Sequence, residues 1–249
     1  MKLQNRTALI TGAAQGIGLA IAHAFVKQGG RVVLADIDAD RVAAEAANIG
    51  TDNALGLALD VSDSEAVAAA VEQTVRHFGG LDIAVAGAAV MTPTVSIADL
   101  EPADWQAAIS VNLTGAFLVS KHAIRHMRGN GGGNVILIAS QMARVAWPGG
   151  AAYSTTKGGL LQLAKGIALD HAADNIRANT LSPGGTATRR LEAKFGDMAT
   201  AQREWGPKHP LGRLAEVTEI AAGAVFLASD DSSFMTGADL LIDGGYAAW

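Results

Sequence analysis

Thr11-Gly12-Ala13-Ala14-Gln15-Gly16-Ile17-Gly18 follows a short apolar run at 7–10 and opens a helical pattern at 17–28. Gly12 permits a sharp turn, Gly16 lets backbone approach a pyrophosphate, and Gly18 lets the helix pack closely on the sheet. The first turn of a helix also carries N–H groups without internal partners, which suit an anion. Such a glycine pattern means little alone. Here the preceding strand and the following helix are both legible, as the motif requires. Gln15 and Ile17 lie inside the turn and join Gly12, Gly16 and Gly18 as expected dinucleotide contacts.

Outward from this turn, short apolar runs alternate with amphipathic segments. Strands are expected at 31–36, 54–60, 83–86, 134–139, 176–182 and 238–242, and helices at 38–49, 105–128, 153–173 and 216–228. A further helix is expected to start at a capping box formed by Ser62 and Glu65 and to end near Phe78-Gly79-Gly80. Apolar strands separated by amphipathic helices imply an α/β fold with a parallel sheet covered on both faces. The alternation continues past the glycine run 129–133, so one dinucleotide-binding and catalytic domain is expected over 1–249. The stretch 184–212 fits the pattern least and reads as a substrate lid.

Asp36 ends the second strand, 18 residues after Gly18. A carboxylate there accepts hydrogen bonds from an adenosine ribose and repels a 2′-phosphate, and the turn itself carries no Arg or Lys. NAD is therefore expected over NADP.

The chain has no cysteine, which excludes disulfides, thiolate catalysis and Cys-based zinc sites. Its net charge of -5 gives no nucleic-acid footprint. The first apolar run is too short for a signal core or a membrane span, and no later run reads as long enough without Gly or a charge. A soluble cytoplasmic protein is expected, with no membrane and no nucleic-acid partner.

Tyr153 and Lys157 are four apart and share a helix face. A free tyrosine, with a pKa of about 10, is a poor base at neutral pH. A nearby ammonium, with the positive ring of NAD⁺, favours the phenolate. Tyr153 can then take a proton from an alcohol or give one to a carbonyl. Ser140, just after the fifth strand, is placed to hydrogen-bond the substrate oxygen.

Taken together, Thr11-Gly12-x-x-x-Gly16-x-Gly18, Asp60-Val61, Asn112, Ser140, Tyr153-x-x-x-Lys157, Pro183-Gly184 and Thr188 resemble the motifs of the short-chain dehydrogenase/reductase superfamily, in its NAD-dependent branch of about 250 residues. The resemblance runs from Leu9 to Gly245. It implies a Rossmann-type, doubly wound parallel sheet of about seven strands. It also implies a catalytic group of Asn112, Ser140, Tyr153 and Lys157. Asp60 and Val61 would touch the adenine, and Lys157 would hold the nicotinamide ribose. Asn112 would anchor a relay water, Pro183-Gly184 would border the nicotinamide, and Thr188 would bond its carboxamide. Tyr153 belongs to the cofactor contacts as well. A homotetramer packed through the two long helices and the C-terminal strand region is implied. One motif departs: many relatives carry Asn-Asn-Ala-Gly where this chain reads Ala86-Gly87-Ala88-Ala89. Gly87 still allows backbone to lie against the ribose. The missing first amide predicts a looser loop, and Ala86→Asn is expected to raise thermal stability.

Gln141, Met142, Arg144 and Trp147 are expected to line the substrate pocket. Arg189, Arg190, Glu192 and Lys194 read as a solvated charge run. The sharper alternative is that Arg144 or a lid arginine attracts a carboxylate-bearing substrate. His122 and His126 share a helix face, but a catalytic zinc needs a third protein ligand, so no metal is assigned. Asp243-Gly244-Gly245 reads as a turn, with a structural divalent ion near the C-terminus weakly supported. The leading expectation is reversible oxidation of a secondary alcohol: a sugar, polyol, diol or cyclic alcohol. A 3-oxoacyl thioester reductase and a non-catalytic dinucleotide sensor are the alternatives.

Overall fold

The computed structural model describes residues 1–248. Strands β1 (Thr7–Thr11), β2 (Arg31–Asp36), β3 (Ala54–Ala58), β4 (Ile83–Ala86), β5 (Gly133–Ile138), β6 (Ile176–Pro183) and β7 (Asp239–Ile242) form one sheet. Its order is β3-β2-β1-β4-β5-β6-β7 and every pairing is parallel. Between the strands run α1 (Gly16–Lys27), α2 (Ala39–Ile49), α3 (Ser64–Phe78), α4 (Pro102–Ala108), α5 (Gly115–Met127) and α6 (Ala151–His171). After β6 come α7 (Arg189–Phe195), α8 (Met198–Trp205) and α9 (Val217–Ala228).

Strand residues sort by parity. Leu9, Val33, Ala84 and Val135 join one apolar cluster with side chains from α3, α5 and α6. Ile10, Leu34, Val85 and Ile136 join the other, with α1, α2 and α9. Both faces are thus dry, which is why β1 and β4 are buried at every position. The winding direction reverses between β1 and β4. Their carboxyl ends open a crevice there, flanked by the glycine turn after β1 and by Gly87 after β4.

Four local expectations need correction. The cap of α3 is Asp63, which accepts from the backbone N–H of Glu65 and Ala66, so Ser62 and Glu65 form no capping box. Ser62 instead donates its hydroxyl to Asp60 at 2.7 Å. β3 stops at Ala58, which leaves Asp60 in the following turn. Pro102, which needs no N–H partner at a helix start, begins the long helix three residues before Trp105. Its middle, Ile109–Thr114, is π-helical. Lastly, 184–212 is not irregular, since most of it is α7 and α8.

The run Pro102–Met127 spans 26 residues and is long and apolar enough, by length and composition, to cross a membrane. Half of its most apolar window is buried inside the protein, where α5 packs on β4 and β5. Its hydropathy therefore has a source in the core.

Candidate active site

The glycine turn is shaped by close backbone approach. A Cβ on Gly12 would sit 2.8 Å from the backbone of Gly87 and Ala88, and one on Gly18 only 2.3 Å from the Gly12 carbonyl oxygen. A Cβ on Gly16 would point across the cleft to Thr188, at 3.5 Å. The Thr11 hydroxyl accepts from Gly87 N at 3.1 Å and Ala88 N at 3.4 Å. That hydroxyl ties the two loops together. The tie expected to be missing at Ala86 is therefore present, and the stability gain expected from Ala86→Asn shrinks accordingly.

Asp36 accepts from Ala14 N at 3.2 Å and Asp38 N at 3.3 Å, which fixes its carboxylate beside the turn. The sequence reading missed Arg41. It comes from α2 and donates to the Gln15 carboxamide oxygen at 3.3 Å, so the turn has a cation beside it after all. The Asp60 carboxyl is held below its usual range by the Ser62 hydroxyl and backbone bonds. Val61 is buried against Gly115, whose Cβ would lie 2.6 Å from the valine side chain. At the end of β6, Gly184 N donates to Ile242 O at 2.8 Å. Thr188 caps α7 by accepting from Leu191 N at 3.4 Å. These residues fit a dinucleotide: an open, glycine-lined groove at a helix start, with a carboxylate at its far end.

Asn112, Ser140, Tyr153 and Lys157 come from three elements and meet where β5 ends. Asn112 sits in the π segment, 1 % exposed. Its carboxamide accepts from Val90 N at 2.7 Å and donates to Val90 O at 3.0 Å and Thr156 Oγ1 at 3.3 Å. Both amide hydrogens are thus spent on protein, bracing the loop after β4 against α6. Ser140 caps a short turn by accepting from Met142 N at 3.1 Å and is hydrogen-bonded to Tyr153.

The Lys157 ammonium is held by a backbone carbonyl at the end of β5. It donates to Ile138 O at 2.7 Å and lies 5.7 Å from the centre of the Tyr153 ring. Burial, with the Arg190 charge second, pulls Lys157 down to about 7. Burial pushes the Tyr153 phenol up, partly offset by Arg190 and by the Ser140 hydrogen bond. In the protein without a bound dinucleotide, burial therefore favours the neutral phenol at Tyr153.

Lys157 carries a pH signature. Its folded pKa lies below the ordinary lysine value of 10.5, so between about 7 and 10.5 the unfolded chain binds the extra proton. Stability from this group rises with pH across that window. Lys157→Met should remove the rise, read as a smaller gain in urea midpoint between neutral and alkaline buffer than in the parent chain.

Of the expected pocket residues, Gln141 and Met142 are buried, and Trp147 lies 5.8 Å from the Tyr153 ring. Arg144 is a correction. Its Nε donates to Asp239 at 2.7 Å, so it is spent on an ion pair at the start of β7. The lid charges are exposed, as the solvated reading has it, but two of them also make contacts within the protein. Arg190 donates to Ala89 O at 2.7 Å across the cleft, and Lys194 lies over the Trp147, Phe195 and Trp205 rings. Their four-residue spacing was a usable signal, but an irregular reading of the segment gave it no face. His122 faces Ser64 Oγ at 3.1 Å. The Asp243 carboxylate accepts from Gly245 N and Ala247 N in its own turn.

With this geometry in place, comparison with known proteins identifies the family. A family model described as enoyl-(acyl carrier protein) reductase matches residues 12–247. A cis-4-hydroxycyclohexanecarboxylate dehydrogenase of Sinomonas cyclohexanicum is 38% identical, over 98% of this chain and 97% of its own. A D-threitol dehydrogenase of Mycolicibacterium smegmatis is 39% identical, over 98% and 94%. The crystal structure of a putative short-chain alcohol dehydrogenase from Sinorhizobium meliloti superposes with a TM-score of 0.92 at 34% identity, covering 99% of this chain and 98% of that one. The chain belongs to the short-chain dehydrogenase/reductase superfamily and is an oxidoreductase.

Proposed function

We propose that this chain is an NAD-dependent dehydrogenase that reversibly oxidises a secondary alcohol to a ketone, with a cyclic alcohol or polyol as substrate. The observation that carries the reading is the meeting of Tyr153, Ser140 and Lys157 at the carboxyl end of β5, beside the glycine-lined crevice. Relatives that act on a ring alcohol and on a tetritol support the substrate class.

When bound, the nicotinamide ring supplies the hydride acceptor and, oxidised, a positive charge. Gly12, Gln15, Gly16, Ile17 and Gly18 would hold the pyrophosphate, and Asp36, Asp60, Val61 and Gly87 the adenosine. Pro183, Gly184, Thr188 and Lys157 would hold the nicotinamide end. The Ser140 hydroxyl orients the substrate oxygen toward the Tyr153 hydroxyl. Tyr153 gives its proton to a carbonyl in reduction and takes one from the alcohol in oxidation. A neutral phenol suits the first directly, and added positive charge favours the second. Asn112 holds the loop after β4 and the helix that carries Tyr153 in register.

NAD is proposed over NADP because Asp36 would face a 2′-phosphate, although Arg41 stands nearby. Asp36→Asn removes the opposing charge and leaves Arg41. The ratio of kcat/KM for NADP over NAD should then rise at least about tenfold, the equivalent of ~1.4 kcal/mol. A parent chain that already prefers NADP overturns the assignment. The matched family model's description, an enoyl-(acyl carrier protein) reductase, shares an acyl-thioester substrate with a second reading, a 3-oxoacyl thioester reductase. Following NADH and NADPH absorbance with ring alcohols, polyols and a 3-oxoacyl thioester separates the two. A cytoplasmic homotetramer is part of the proposal. Phe117 on α5 and Leu169 on α6 are 45% and 84% exposed, apolar surface on the helices through which the family assembles.

A further inference from the structure

Arg190 and Lys194 stand four apart on α7, on the side that faces Tyr153. Arg190 reaches the Ala89 carbonyl at 2.7 Å, on the loop that Asn112 braces through Val90. Lys194 lies 5.4 Å from the Trp147 ring, which itself lies 5.8 Å from Tyr153. Among the described residues no carboxylate pairs with either cation. Like charges four apart on a helix repel, so this face is unfavourable unless an anion comes between them.

Two more polar atoms at the site lack partners. Gln141 is 3% exposed, and its Oε1 is buried without a hydrogen bond, 2.9 Å from where a Cβ on Gly184 would stand. Trp147 Nε1 is likewise buried and unpaired. A buried polar atom left without a partner is destabilising, so the site is built to be completed by a polar ligand. Arg144, the other cation between Ser140 and Tyr153, is already neutralised by Asp239.

We infer that the substrate is a hydroxy acid: its carbinol lies at Tyr153 and Ser140, and its carboxylate is received by Arg190 and Lys194 on α7. Gln141 accepts a hydroxyl of the same molecule and so adds to the selection. The inference rests on the dehydrogenase reading for the position of the reacting carbon. A guanidinium and an ammonium together suit a carboxylate, the first by its fork and the second as a mobile point charge. The phosphates of a dinucleotide offer the same anionic oxygens, and the experiment distinguishes the two sources.

The test is binding without turnover. Cyclohexanecarboxylate and cyclohexanecarboxamide have nearly the same shape, differ in charge, and have no alcohol to oxidise. Calorimetric titration of each into the NAD⁺-saturated protein should give a carboxylate affinity at least about tenfold the amide affinity. In the double variant Arg190→Gln, Lys194→Gln that ratio should fall to near one, with NAD⁺ affinity unchanged. Both side chains are exposed, so folding should survive the change. Equal binding of the two probes, or none of either, overturns the inference. So does a double variant that loses NAD⁺ affinity and keeps the carboxylate preference, which would place the cations on the dinucleotide phosphates. Because the ratio needs no chemistry, an active dehydrogenase with a flat ratio refutes only this inference. A steep ratio in a protein that oxidises no alcohol refutes the dehydrogenase reading instead.

Discussion

Tyr153→Phe should lower the turnover of a secondary alcohol by ~10²–10⁴-fold, the usual worth of a positioned proton donor or acceptor. The change deletes one oxygen. The ring keeps its place 5.8 Å from Trp147, and Lys157 keeps its bond to Ile138 O, so the thermal midpoint should not fall. Ser140 loses a partner but still accepts from Met142 N. A loss in kcat with little change in NAD⁺ affinity would locate the defect in proton transfer. Undiminished turnover would show that the phenol carries no proton in the reaction and would overturn the role assigned to Tyr153. The elevated phenol pKa adds a direction. The neutral form predominates around pH 7, so the parent chain should reduce ketones more readily than it oxidises alcohols there, and oxidation should gain as the solution becomes more alkaline.

Gly18→Ala should cost the chain both stability and dinucleotide affinity. Its Cβ would lie 2.3 Å from the Gly12 carbonyl oxygen and 2.9 Å from the carbon behind it. Both are backbone atoms of the turn, with no flexible side chain to yield. Either α1 lifts from β1 or the turn opens. The first loosens the cluster around Ile21, Ala22 and Phe25; the second spoils the cradle. Overpacking of this kind costs about 1–3 kcal/mol. The expected result is a lower urea midpoint together with NAD⁺ binding weakened by more than about tenfold. Gly80→Ala is the control, because an added methyl there meets nothing within 4 Å and φ is not positive. A Gly18→Ala protein that binds NAD⁺ as the parent does would remove the glycine turn from the cofactor site.

The alternation of strand and helix is legible along the chain alone, because burial on both faces forces continuous apolar runs at β1, β2 and β4. The chain also marks Gly12 and Gly18, since only a residue without a side chain tolerates those approaches, Gly16, whose φ of 59° favours glycine, and the Tyr153–Lys157 pair, since helix geometry puts both on one face. Boundaries set by a single hydrogen bond were less legible. Whether Ser62 or Asp63 caps α3 depends on which oxygen Asp60 leaves free. The lid helices were hidden because no buried residue marks α7 and only Ala201 does so on α8, so neither shows an apolar period to read. Where each charge goes is settled by the packed fold. It spent Arg144 on Asp239, brought Arg41 to the glycine turn, turned Lys157 toward Ile138, and set Arg190 and Lys194 around the reactive phenol. The difference is one of range. Periodicity is local and can be read along the chain, but an ionic partner is chosen in space, across separations such as the 95 residues between Arg144 and Asp239.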